Sequence, residues 1–515
     1  MNEFLESTIV FGRLEEHMRA KDVVFGVLER RLEALGHTRL GRKVNHHVGF
    51  VFTEHMRHVI LLGNVGPYVC ITVLFRHVAL TGHIVAFVHI DDFVFTVLQD
   101  VLYKIRTYKP EPARHQDAHF YYQIKVVQFY YTVMSKKVWY APNQFEAYGE
   151  DEIRAVEESL RAGWLAGFGP RTVEFEKKVA DRFGKAHGLF VNSGSSAILL
   201  GLCALDLQPG DEVITPACGF STTVAPIVQV GATPVFCDVQ DNGRYVPSVE
   251  DIRAVFTEKT KVLLIPNLIG NTPDWKAIRE AFPNVTLFED SADTITRTPW
   301  TDISTTSFYA SHVITAGGVG GMVMFNSDDH LKRAVMFRDW GRIGDNIEEP
   351  SERFNHSVDG IPYDWKFLYG VVGYHLKACE MNAAFGLAQW NRLDSLLEKR
   401  RSIFERYIEG LKGIDYFTLP DDSFKPNWLA IPLMCKTGHR LELLTFLENN
   451  GVQTRVCFAG NITRHPAYRA KYLKECPVSD AIMSDAFLLG AHHGMTVDDV
   501  DRVVGLLKEF AAKNQ

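Results

Sequence analysis

Three short stretches of the 515-residue chain carry residue types that could do chemistry. The first is Asn192-Ser193-Gly194-Ser195-Ser196, which follows an apolar run at 189–191 and precedes a helical pattern over 197–205. A small, hydroxyl-rich loop that opens a helix presents backbone N–H groups and the positive end of the helix dipole, a combination that suits a phosphate. Ser-Gly-Ser is also an ordinary strand-to-helix turn with an N-terminal cap, and the loop alone does not separate the two. The second is Glu289-Asp290-Ser291-Ala292-Asp293, where an apolar strand ends in acids. A carboxylate at the carboxyl end of a strand can keep a pyridine nitrogen protonated and make that ring an electron sink; capping of the next segment is the plainer alternative. The third runs from Thr306-Ser307-Phe308 through His312 to Gly317, Gly318, Gly320 and Gly321. Imidazole exchanges protons near neutral pH, although a lone histidine is more often a structural hydrogen-bonding group.

The elements around these stretches alternate in kind. An amphipathic helix is predicted over 150–162 and another over 170–183, the second closed by Gly184 in the manner of a C-terminal cap. Short apolar runs at 189–191, 212–215, 234–238, 262–266 and 286–289 are separated by helical patterns. Strands alternating with helices imply an α/β fold with a mostly parallel central sheet, whose ligands gather at the carboxyl ends of the strands. The first two stretches fall at such ends.

The chain as a whole narrows the class. A formal net charge of -7 argues against a general nucleic-acid binder. The eight cysteines are scattered without a C-x-x-C pair, which predicts a reduced, cytosolic protein. No basic leader opens the chain, and the apolar stretch near 65–90 is broken by Arg76, His77 and His83, so neither a signal peptide nor a membrane span is expected. Residues 1–133 hold 11 of the 20 histidines and few turn signals. Strands are possible there at 68–75 and 84–94, and His46-His47 and His55/His58 invite a metal reading that no cysteine or carboxylate completes. An alternative is that Met134 begins the functional protein and the preceding residues are an artefactual extension. A large domain is expected over 134–395 and a smaller α+β domain over 396–515.

Taken in order, these features resemble the DegT/DnrJ/StrS-type sugar aminotransferase and dehydratase family of the aspartate-aminotransferase fold. The resemblance rests on the serine loop, Pro216-Ala217-Cys218-Gly219-Phe220-Ser221-Thr222-Thr223, Glu289-Asp290, and Ser307-Phe308 followed by a catalytic position before the glycines. It extends over 136–510 and takes in Gly163-Trp164-Leu165, Gly373-Tyr374, the stretch from Glu380 to Gly386, and Gly460-Asn461 with Arg464 and Pro466. What it implies is a mostly parallel, type I vitamin-B6 enzyme. Asp290 resembles the partner of a pyridinium nitrogen, with Asp293 close by in the cofactor set, and Phe220 resembles the aromatic that stacks on the ring. Ser195, Ser196 and Ser307 match phosphate-binding positions, and Gly194 shapes the loop. Arg455, Asn461 and Arg464 are the candidates for a substrate diphosphate.

His312 falls where the family's aminotransferases place the lysine that links covalently to pyridoxal 5′-phosphate; between Lys261 and Lys332 the only lysine is Lys276, in a different helical pattern. The family's histidine-bearing members are 3-dehydratases of nucleotide-linked 4-keto-6-deoxyhexoses that use pyridoxamine 5′-phosphate. The resemblance therefore implies C3 dehydration in deoxysugar and O-antigen synthesis, with His312 as general base. One subgroup carries an iron–sulfur cluster on a C-x-C grouping soon after the stretch that matches Arg338 to Arg342. Residues 343–373 contain no cysteine, so no cluster is expected, and the likeness is to the cluster-free colitose-pathway branch with L-glutamate as amino donor. A true sugar aminotransferase and a non-catalytic cofactor or sugar-nucleotide binder are the alternatives. The family builds its sites in homodimers, with an asparagine after Gly-Tyr reaching the neighbouring phosphate; here that residue is His375. Ala316-Gly317-Gly318-Val319 also replaces a stretch that often includes an acid.

Overall fold

The computed structural model describes residues 48–52, 59–63, 70–73, 137–142, 144–344, 348–436 and 438–514. The chain divides into two compact units, Met1–Gln123 and Ile124–Gln515. In the first, β1 (Val48–Phe52), β2 (Val59–Gly63) and β3 (Cys70–Val73) form an antiparallel sheet in that order. β3 falls within the strand expected at 68–75. The strand expected at 84–94 and the pairs His46-His47 and His55/His58 lie outside the described residues.

The second unit is built on a seven-stranded sheet of order β4-β10-β9-β8-β7-β5-β6. Its strands are β4 (His187–Val191), β5 (Glu212–Pro216), β6 (Thr233–Cys237), β7 (Thr260–Pro266), β8 (Thr286–Ser291), β9 (Ile303–Ser307) and β10 (Gly321–Phe325). Pairing is parallel from β6 through β5, β7 and β8 to β9, and β10 runs antiparallel between β9 and β4. The mostly parallel sheet is thus the one expected. Runs such as Val262 to Ile265 and all of β10 are buried throughout, as strands covered by helices on both faces must be. β8 runs two residues beyond its expected end at 289, and its acids lie inside it, because Glu289 and Asp290 pair in register with Ile265 and Pro266 of β7.

The helices bear out their signals. Helix α1 (Glu150–Arg161) opens with three acids. Helix α2 (Pro170–Phe183) has proline at its first turn and ends at Gly184, whose φ of 74° lies in the left-handed region that glycine enters without penalty. The start of α2 is capped from far away in sequence. The Glu380 carboxylate, 1% exposed, accepts the N–H of Gly169 at 3.1 Å and of Arg171 at 2.6 Å, and the Thr172 hydroxyl at 2.5 Å. Helix α3 (Gly194–Ala204) starts three residues earlier than its apolar pattern suggests, because Ser193 caps it. Helix α4 (Ser221–Gln229) follows β5.

Beyond the sheet, α5 (Glu380–Trp390) and the long α6 (Leu393–Leu411) lead into a four-stranded antiparallel sheet of order β13-β14-β16-β15. Between the two sheets the hairpin β11 (His356–Val358) and β12 (Ile361–Tyr363) stands apart. The later strands are β13 (Phe417–Thr418), β14 (Ala430–Cys435), β15 (Thr454–Val456) and β16 (Ala486–Gly490), covered by α7 (Val497–Lys513). Residues on both sides of position 395 share one buried cluster: Phe175, Phe190 and Phe308 belong to it with Phe404, Ile431, Phe487 and Val503.

Helix α3 lies almost on the sheet, since a β-carbon on Gly201 would stand 2.4 Å from the ring of Phe288. Gly201→Ala is therefore expected to lower stability by about 1–3 kcal/mol through overpacking, read as a fall in the melting temperature; an unchanged melting temperature would contradict the close approach.

Candidate active site

The three stretches meet at the carboxyl edge of the sheet. Ser193 Oγ accepts the Ser196 N–H at 3.1 Å, and Ser196 Oγ donates to Asn192 Oδ1 at 2.7 Å. The plainer reading of Ser-Gly-Ser as a capped helix start is thus met, and the same geometry leaves the N–H groups of Gly194 and Ser195 beyond the reach of any helical carbonyl. The corner is packed to backbone contact. A β-carbon on Gly194 would stand 2.7 Å from Ser307 Cβ, and one on Gly321 2.4 Å from the Gly194 nitrogen. Ser307 is thereby held against the loop of Ser195 and Ser196.

Asp290, near the end of β8, is 6% exposed. Its carboxylate accepts the Thr223 hydroxyl at 2.8 Å and the Ala292 N–H at 3.2 Å. Burial raises its pKa, with those two hydrogen bonds opposing. Thr223 belongs to α4, whose N-terminal cap is Phe220. The Phe220 ring is 53% exposed and is braced edge-on by Phe458 at 6.2 Å, leaving an open aromatic surface.

His312 sits in the turn after β9, its N–H donated to Tyr309 O at 3.0 Å. Its Nε2 lies 3.8 Å from Asp293 Oδ1, too far for a hydrogen bond, and its buried Nδ1 has no partner. Burial, and then the charge of Arg400, push the imidazole down to about 4. Asp293 accepts the Ile269 N–H at 2.8 Å, and burial lifts its carboxyl to about 7. At neutral pH the imidazole is therefore uncharged and able to take up a proton.

Two residues of this pocket escaped the sequence reading. Arg400 of α6 is 3% exposed and donates to His312 O and Leu429 O, each at 3.1 Å. Its place was legible in part, because it continues the stripe Leu393, Leu396, Leu397, Ile403, Phe404 that α6 buries. Tyr140 donates its N–H to Gln453 Oε1 at 3.1 Å, and burial followed by the charge of Asp293 raises its phenol. Nothing local marks Tyr140, since its neighbours come from more than 150 residues away.

Arg455 reaches over the Tyr140 ring at 5.3 Å and donates to Thr454 O at 2.7 Å. Asn461 is fully buried, and its amide donates to Lys474 O and Asp480 while accepting from Thr463, so it closes its own loop. Arg464 is engaged on two sides by Asp480. His375 lies flat on Trp340 at 4.5 Å between ring centres, and the adjoining Leu376 O accepts the Asn192 N–H at 3.0 Å.

The DegT/DnrJ/EryC1/StrS aminotransferase family model matches residues 146–508. The chain belongs to this family. Within it, the chain is 36% identical over 407 residues to the lipopolysaccharide biosynthesis protein RfbH of Salmonella typhimurium, covering 72% of this chain and 92% of that one. It is also 36% identical over 398 residues to dTDP-4-dehydro-2,6-dideoxy-D-glucose 3-dehydratase of Saccharopolyspora spinosa, covering 71% and 85%. The fold matches that of E. coli GDP-4-keto-6-deoxy-D-mannose-3-dehydratase with a TM-score of 0.64 at 22% identity, over 72% of this chain and 99% of that one.

The state of Asp293 has a measurable consequence. Its folded pKa of about 7 exceeds the unfolded value of about 3.9, so its contribution to stability is full at low pH and is lost as pH rises through the folded value. Asp293→Asn carries no proton to lose. Measured without ligand, the melting temperature of Asp293→Asn relative to wild type is expected to climb between about pH 4 and pH 7, whereas a difference constant with pH would count against the buried, protonated Asp293.

Proposed function

We propose that this family member holds pyridoxamine 5′-phosphate, interchangeable with pyridoxal 5′-phosphate, and dehydrates a nucleotide-linked 4-keto-6-deoxyhexose at C3 in deoxysugar and surface-polysaccharide synthesis. The observation that carries the reading is His312, half-buried and with an orphaned ring nitrogen, at the position where the family's aminotransferases carry lysine. The pocket fits a phosphorylated pyridine. Asp290 is a buried carboxyl for which no cation is found among the described residues, and the capped start of α3 offers unpaired N–H groups beside Ser307.

When bound, the group supplies a primary amine that condenses with a ketone and a ring that stores an electron pair. Asp290 keeps the ring nitrogen protonated, Phe220 covers a ring face, and Gly194, Ser195, Ser196 and Ser307 hold the phosphate. His312 takes up a proton at a ring nitrogen and returns it, with Asp293 near enough to stabilise the charge that forms. Having no amine, His312 cannot link to a carbonyl. Arg455 is the better-placed cation for the substrate diphosphate, and Arg464 would have to leave Asp480 to join it.

L-glutamate is the proposed amino donor and the cytosol the proposed compartment; among the described residues no helix is long and apolar enough to cross a membrane. A homodimer is proposed, in which His375 serves the phosphate of the second copy. No iron–sulfur cluster is proposed, because residues 343–373 hold no cysteine.

The test supplies pyridoxamine phosphate, L-glutamate and a nucleotide-linked 4-keto-6-deoxyhexose and follows the sugars by mass spectrometry. Wild type is expected to yield a 3-deoxy sugar with free ammonia, and His312→Gln to lose about 100-fold or more of that rate. His312→Lys is expected to shift product toward an aminated sugar that keeps its 3-hydroxyl. An aminated product from wild type would restore the aminotransferase, and binding without product would favour the non-catalytic reading.

A further inference from the structure

Arg400 is a buried cation without an anion. It is 3% exposed, its two terminal nitrogens donate to Leu429 O and His312 O at 3.1 Å each, and its Nε is buried with no partner. Among the described residues no carboxylate pairs with it, and the Tyr140 phenol that faces it, itself raised by burial, supplies no counter-charge near neutral pH. A guanidinium removed from water in this way is strongly unfavourable unless something depends on it.

What lies around it is a set of imidazoles. His312 is joined to it through the main-chain carbonyl, and His492 and His493 are buried near enough to feel its charge. His492 Nε2 donates to Trp139 O, 3.1 Å away, while His493 Nδ1 has no partner. All three imidazoles are driven toward the neutral form, first by burial and then by Arg400.

We infer that Arg400 is a positioning residue for His312: it ties the backbone of the His312 turn to Leu429, the residue before β14, and sets an unpaired cation behind that turn. The groups that face His312 are few. Asp293 approaches Nε2 to 3.8 Å from the loop after β8, the Tyr309 ring stands 6.0 Å away on the same turn, and Arg400 comes from α6. Tyr140, His492 and His493 face Arg400 from the segments that pack over it. The Ser307 backbone favours the imidazolium, and an ionised Asp293 would too, but burial lifts the Asp293 carboxyl to about 7, so below neutrality it offers little opposing charge. Burial and then Arg400 therefore oppose protonation of the ring over the acidic range, where an ordinary histidine would be protonated.

The inference deepens the proposed role of His312 but does not need turnover to be tested. The ligand-free full chain is labelled with isotopic histidine, the His312 resonance is assigned by its loss in His312→Gln, and the imidazole is titrated by NMR. Wild type is expected to show no His312 midpoint above about 5. Arg400→Gln, which keeps one amide donor for a carbonyl, is expected to raise that midpoint by about one pH unit or more, and Arg400→Lys, which keeps the charge, to leave it within about half a unit. Arg400→Met is the second neutral variant, with the same expectation as Arg400→Gln. An unmoved midpoint in a folded neutral variant, or an equal rise in Arg400→Lys, overturns the inference. If wild type makes no deoxysugar yet the midpoints move as stated, the proposed reaction fails and the role of Arg400 stands.

Discussion

Ionisable groups crowded into one dry corner govern the rest of the arrangement. Asp290, Asp293 and Arg400 are all buried, and His312 is nearly so, where water cannot solvate a charge. Burial pushes both carboxyls up and the imidazole down, and it lowers even the guanidinium to about 10. Such a set persists only if backbone groups supply what water does not. The Thr223 hydroxyl, the N–H groups of Ala292 and Ile269, and the carbonyls of His312 and Leu429 do so here.

Those partners come from elements that the topology brings to one edge. β8 delivers the acids, the turn after β9 delivers His312, α4 delivers Thr223 beneath the Phe220 platform, and α6 inserts Arg400 from the far side. The antiparallel β10 closes the corner. Its first residue, Gly321, lies against the Gly194 nitrogen, so the loop that opens α3 cannot drift from Ser307. A side chain at either glycine would separate the segments that must touch.

The absence of an amine at position 312 is the chemical consequence that matters most. A neutral imidazole with an unengaged nitrogen can carry a proton between atoms of bound molecules, whereas a lysine could also bind one of them covalently. The relatives at 36% identity include a sugar 3-dehydratase, and the fold is shared with another. The proposal places His312 on the proton-transfer side of that division, with Arg400 positioning its turn.

Much was legible from order and spacing alone. Gly184 ended a helix, the apolar runs formed the sheet, and the family's ordered motifs survived with their spacing, because hydrophobic period and turn chemistry are local properties. Asp290 could be singled out at a strand end, whereas His312 and Phe220 drew their roles from the family resemblance. Roles that depend on distant partners could not be read. Glu380 belonged to a recognised motif, yet only the fold reveals that its carboxylate caps a helix 208 residues away in sequence. Asn461 matched a ligand position but spends its amide on Lys474, Thr463 and Asp480. Arg400 stood in a run of basic residues typical of a solvated face, and Tyr140 in an unmarked segment. Burial and electrostatic environment are set by which segments converge, and that convergence exists only in the tertiary structure.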